Sequence, residues 1–155
     1  LSKTYTLYGT RCGAMICIAK TKEIADEFKR VCEYSSRGSW SNSAKVAQVI
    51  LSRIYGEPGL LERVDKERAH YREMLIKRGR AFEEEAKKVG LKIVPFDAGF
   101  FISIPCSDPD AISAKLEKEG VFIVPLAKGL RVSVASISEE KCRKLPAVIK
   151  AAMEE

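Results

Sequence analysis

The sequence predicts an α/β chain that ends in a small α+β domain, a mostly antiparallel sheet covered by helices. Three observations predict it. Residues 14–19, Ala-Met-Ile-Cys-Ile-Ala, form a continuous apolar run of the kind that suits a strand buried on both faces. A charged helical pattern then runs from Leu60 to Val89 and closes at Gly90. The last third alternates short β-rich runs with capped helical segments.

Each element can be justified in order. The run at 14–19 reads as one strand of a sheet whose other strands lie outside this chain. Thr21 is placed to cap a helix that sets Ile24, Phe28, Val31 and Cys32 on one face and frays into Ser35–Ser39. Asn42 or Ser43 caps a second helix bearing Val46, Val49, Ile50 and Ile54, stopped by Gly56-Glu57-Pro58-Gly59. The long helix carries a stripe at Leu61, Val64, Tyr71, Leu75, Phe82, Ala86 and Val89, with Arg68 and Arg78 also on that side. At roughly 45 Å it exceeds what a small domain needs, and it is expected to be an interdomain helix or to lie along one domain. Leu91–Val94, Gly99–Ile104, Val121–Val124 and Leu130–Ala135 read as strands. Asp108-Pro109 opens a helix ending at Gly120, and Ser138 starts a final one that Pro146 should kink.

With 46% hydrophobic and 31% charged residues, the composition is that of a globular chain and not of a disordered or membrane one. The net charge of +6 is interleaved with acidic residues, as in Lys66-Glu67-Arg68, and no recognition motif accompanies it, so nucleic acid is not expected as a partner. No run is long enough to span a membrane. Five cysteines without a CxxC pair read as reduced thiols of a cytoplasmic protein, and a lone His70 argues against a metal site. The opening Leu-Ser-Lys-Thr-Tyr has neither a secretory layout nor an initiating methionine and reads as an internal cut.

The chemistry concentrates in Ser2-Lys3-Thr4-Tyr5-Thr6-Leu7-Tyr8-Gly9-Thr10-Arg11-Cys12-Gly13. A lysine among small and aromatic residues, partly desolvated, is a nucleophile for an aldehyde. Eight residues later Arg11, between Gly9 and Gly13, offers a guanidinium suited to a phosphate, and the glycines permit tight turns. One loop would then hold both ends of a phosphorylated aldehyde. In the strand Leu130-Arg131-Val132-Ser133-Val134-Ala135, a charge stands where an apolar residue would serve.

The pattern Ser-Lys, three to four residues, Leu-Tyr-Gly-x-Arg-x-Gly, then an apolar strand, resembles the cofactor-lysine signature of the class I aminotransferases. These are pyridoxal-phosphate (PLP) enzymes of fold type I, and the resemblance covers essentially the whole chain. It implies that Lys3 forms the Schiff base with PLP and moves the substrate proton, that Arg11 holds the cofactor phosphate, and that Arg131 binds the substrate α-carboxylate. Arg37-Gly38-Ser39-Trp40-Ser41-Asn42 resembles the family's Arg-x-x-Tyr-Ser-Asn loop at the dimer interface. There Arg37 would take a substrate side-chain carboxylate, which points to aspartate or aromatic amino acids as substrates alongside a 2-oxo acid. The loop departs from the family at Trp40 and at Ser43-Ala44, where proline is usual. Phe100 and Phe101 are read either as core or as the lining of the substrate entrance.

The implied organisation is a remnant of the large PLP-binding domain at 1–20, linking helices and an interface loop at 21–59, and the small C-terminal domain at 60–155. The family's aspartate for the pyridine nitrogen, its asparagine and tyrosine near the ring oxygen and its phosphate loop all lie upstream of the residue aligned with Lys3. The chain alone is therefore expected to be inactive, and the full-length form to be a homodimeric transaminase. Two alternatives stay open: a PLP-dependent lyase of the same fold, and an aminotransferase-like ligand-sensing domain of a transcription regulator.

Overall fold

The computed structural model describes residues 1–154 and divides into two compact units, Leu1–Arg68 and Ala69–Glu155. In the first unit a 3-10 turn at Tyr8–Thr10 precedes helices α1 (Lys22–Ser39) and α2 (Lys45–Gly56), and helix α3 (Leu60–Lys88) begins here. The expected strand at 14–19 does not form, and Met15, Ile16 and Ile18 stand 76%, 82% and 98% exposed. An extended segment becomes a strand only when a neighbour supplies its ladder, and no described residue pairs with this one.

Helix α1 does not fray at its serines. It continues through Ser39, where Ser36 O accepts the N–H groups of Trp40 and Ser41 at 2.9 and 3.0 Å. Thr21 stands at its N-cap, although its side chain accepts no capping bond. Neither Asn42 nor Ser43 caps α2; that place falls to Ala44, while Asn42 Oδ1 accepts the Ser43 N–H at 2.9 Å. Of the apolar residues assigned to α2, Ile54 is buried together with Ala47, whereas Val46 and Val49 are exposed.

The second unit holds the core. Strands β1 (Phe101–Pro105), β2 (Val124–Leu126) and β3 (Gly129–Ser133) form an antiparallel sheet in the order β1-β3-β2, with helices α4 (Pro109–Lys118) and α5 (Glu139–Glu154) between and after them. The register Ile102↔Val132 and Ile104↔Leu130 places four apolar side chains on one face, all of them buried. Phe82 and Ala86 of α3, Leu116 of α4 and Cys142 and Ile149 of α5 complete the core. Burying a side chain such as Phe82 stabilises the fold by about 1.5–3 kcal/mol. Pro146 lies inside α5, which continues past it, and its ring is itself buried.

Several boundaries have local causes. Gly90, at φ +66, ends α3 in a left-handed turn in which Leu91 N–H reaches Ala86 O at 2.9 Å. Gly79 gives α3 a notch for the Phe96 ring, since a Cβ there would lie 2.1 Å from it. Asp108 caps α4, its carboxylate accepting the Ala111 N–H at 3.1 Å, with Pro109 in the first turn. Residues 91–94 form no strand: Val94 N–H donates to Ser103 O at 2.8 Å, but Pro95 has no N–H to extend the ladder. The strand expected from Val121 begins only at Val124, because Val121 N–H is used at Leu116 O to close α4. Strand β3 stops at Ser133, whose carbonyl accepts the Ser136 hydroxyl at 3.1 Å.

Candidate active site

The loop of Lys3 and Arg11 is organised by an aromatic ring. Lys3 Nζ lies 4.7 Å and the Arg11 guanidinium carbon 4.5 Å from the centre of the Tyr8 ring. Arg11 adopts a left-handed conformation, φ +50, directly after the 3-10 turn, and its side chain donates to Tyr8 O at 3.3 Å. The left-handed residues of this loop are Thr6 and Arg11 rather than the flanking Gly9 and Gly13, which have open space around them. A left-handed β-branched threonine costs about 1–3 kcal/mol, and such strain clusters where geometry serves a ligand. Lys3 is exposed, so the desolvation expected of it is not supplied by these residues.

Arg131 stands on the sheet face opposite the core. The register sets Ser103 beside it on β1 and Val124 beside it on β2, and its guanidinium carbon lies 4.5 Å from the Phe101 ring. Its Nε is buried and has no hydrogen-bond partner among the described residues. A buried donor left unpaired costs about 1–3 kcal/mol, so such a group is set to receive an acceptor. A cleft of about 430 Å³ adjoins it, lined by Val121, Ile123, Leu145 and Val148 among others. Phe101 is 43% exposed and packs on the arginine rather than in the core.

Arg37 lies in the last turn of α1, not in a loop, and donates to Ser41 Oγ at 2.6 Å. Ser41 has φ +70, and Trp40 beside it is 80% exposed. The structure thus gathers Lys3 and Arg11 around one ring and pairs Arg37 with its own helix end, while Arg131 belongs to the second unit. Tyr8 was missed in the sequence. Its spacing of three residues from Arg11, one turn of 3-10 helix, is the signal that finds it.

All five cysteines are free thiols, and burial raises the pKa of Cys142 and of Cys106 above the ordinary thiol range. Among the described residues there is no cluster of three or more metal-ligating side chains and no helix long and apolar enough to cross a membrane.

The family model described as aminotransferase class I and II matches residues 1–149. An aromatic amino acid aminotransferase of Cutibacterium acnes is 30% identical over 139 residues, 89% of this chain and 35% of that protein. Among solved structures, an aminotransferase from Anaerococcus prevotii matches 99% of this chain and 38% of its own with a TM-score of 0.91 and 36% identity. The broad specificity aminotransferase from Leishmania mexicana gives a TM-score of 0.77 at 18% identity over 99% of this chain and 38% of its own, a likeness of fold. The chain spans little more than a third of the length of these relatives.

Proposed function

Because this chain belongs to the aminotransferase class I and II family, whose members depend on PLP, we propose that it is the part of a transaminase that anchors the cofactor and the substrate carboxylate. The observation that carries the reading is the pair of cations, Lys3 and Arg11, over the single ring of Tyr8. The donor set fits the cofactor: an amine for its aldehyde and a guanidinium for its phosphate. When bound, PLP supplies the electron sink for chemistry at the amino acid's α-carbon.

The chain's own residues bind and orient. Lys3 would hold the cofactor through its amine and, when that amine is free, would move a proton at its Nζ, and Arg11 would hold the phosphate through charge-assisted hydrogen bonds. Arg131 grips the substrate α-carboxylate, for which its planar fork is the matched partner. Support for this role comes from the orphaned Nε and from Phe101, which stacks on the guanidinium and limits its rotation. The resemblance offers Arg37 for a side-chain carboxylate, but its bond to Ser41 competes for that role. We therefore place aromatic amino acids ahead of aspartate, in keeping with Phe101 beside Arg131 and with the name of the Cutibacterium acnes relative.

In this reading residues 1–20 belong to a large cofactor-binding domain, 21–59 link it to the rest, and 60–155 are the small domain. The exposed run at 14–19 supports the first assignment, since an apolar extended segment calls for neighbouring strands. Exposed Tyr34 and Trp40 support a homodimer contact around the end of α1. The 155 residues alone are expected not to turn over, because Lys3 and Arg11 lie in an open, exposed loop.

The test is made on the full-length protein with phenylalanine or aspartate and a 2-oxo acid, measuring 2-oxo acid release and cofactor absorbance. Wild type should consume phenylalanine faster, Lys3→Ala should lose about 10³-fold or more in kcat, and Arg131→Lys should raise KM about tenfold or more. Unchanged turnover in Lys3→Ala would overturn the assignment. Release of ammonia in place of amino transfer would identify a lyase.

A further inference from the structure

Two residues beyond Lys3, the hydroxyl of Tyr5 meets the hydroxyl of Tyr55 at 2.8 Å, joining positions 50 apart in sequence. Tyr55 sits in the last turn of α2. From within α3, Arg68 places its guanidinium carbon 5.5 Å from the centre of the Tyr5 ring, and Asp65 Oδ1 accepts from Arg68 Nη1 at 2.8 Å. Immediately after Tyr5 the chain bends through the left-handed Thr6, whose hydroxyl donates to the Tyr5 carbonyl at 2.7 Å. The segment carrying Lys3 is thereby gripped at one residue by two helices and turned sharply at the next.

We propose that the Tyr5–Tyr55 hydroxyl pair, backed by Arg68, is a strut that sets the position of the Lys3 amine. This rests on the reading of Lys3 as the cofactor lysine and adds positioning residues to it. The reason is geometric: catalysis by a covalently held group depends on near-attack placement, and an error of about 1 Å costs on the order of 100-fold. Lys3 reaches its target on a flexible four-carbon stem, so fixing its backbone removes one source of that error. The pair's hydrogen bond also favours the neutral phenol of Tyr5, which keeps the link intact through the neutral range.

The experiment uses the full-length protein with Tyr5→Phe, Tyr55→Phe, the double variant, Arg68→Lys and Arg68→Ala. It reads kcat and KM separately, the Tm of each variant, and the lysine labelled when borohydride traps the cofactor, identified by peptide mass. Each phenylalanine variant removes one oxygen and should lower kcat about tenfold at unchanged KM. The double variant should be no worse than the singles, the signature of two groups acting as one. Arg68→Lys keeps a cation over the ring and should retain most of the activity that Arg68→Ala loses. Wild-type kcat in both single variants, multiplicative losses in the double, or losses that track Tm instead of the hydroxyls would overturn the strut while label on Lys3 leaves the cofactor reading standing. Label on another lysine would overturn both.

Discussion

At the scale of single residues, the second unit is intolerant where backbones touch. A Cβ on Gly129 would lie 2.3 Å from the Ile104 carbonyl oxygen, across the β1–β3 pairing, and no flexible side chain can yield there. Gly129→Ala is expected to lower the stability of the chain by about 1–3 kcal/mol in urea denaturation; an unchanged midpoint would show that the two strands separate more easily than their register suggests. Gly79 is a softer case, because the atoms it admits belong to the end of the Phe96 ring. Arg131 shows how a residue's role depends on its face: one position away on the same strand, Leu130 and Val132 are buried core.

At the scale of elements, Phe82 joins α3 to the sheet and is fully buried, so Phe82→Ala should cost about 3–5 kcal/mol by calorimetry or denaturant. On the solvent side α3 and α5 are laced by ions, Arg143 meeting Glu84 and Glu139 at 3.1 Å each and Lys77 meeting Glu139 at 3.1 Å. The hydrogen bond from Lys77, then that from Arg143, holds the Glu139 carboxyl below its ordinary pKa, and Lys88 leads the same effect at Glu85. With the folded pKa depressed, the stabilisation is complete above the unfolded value of about 4.3 and is lost as pH falls through the folded one. A Tm profile should therefore be flat near neutrality and fall on the acid side. Glu139→Gln should make that acid limb shallower, and salt should reduce the difference between the two proteins. An identical acid limb in the variant would remove the lacing from the account.

The helices were legible in the sequence wherever a stop or start signal stood beside an apolar stripe, as at Gly90 and at Asp108-Pro109. The strands were legible as runs but not in their limits, because pairing decides those: Val121 was taken by a helix cap and residues 91–94 by a proline. Of the candidate site, Lys3, Arg11 and Arg131 could be named from their pattern. The rings that organise them carry weaker signals: Tyr8 is marked only by its three-residue spacing from Arg11, and Phe101 is open to two readings because a ring under a cation and a ring in a core look alike in a sequence.

At the scale of the whole molecule, the two units differ in how finished they are. The second has a closed core, whereas the first shows solvent Met15, Ile16, Ile18, Tyr34 and Trp40. Large exposed apolar surface of this kind marks an interface. The chain alone is expected to bind a hydrophobic dye and to self-associate in sedimentation, with Ile18→Asp reducing both; a monodisperse, dye-free wild type would speak against a covered surface there. The sheet of the second unit presents a different hazard and answers it. Its two edge strands each carry a proline, Pro105 at the end of β1 and Pro125 in the middle of β2. A proline offers no N–H to an arriving strand, so neither edge is a good template for fibril growth. Should this polypeptide ever be found in amyloid deposits, the ordered core of the fibril ought to map to residues 14–19 and leave the native sheet of the second unit outside it.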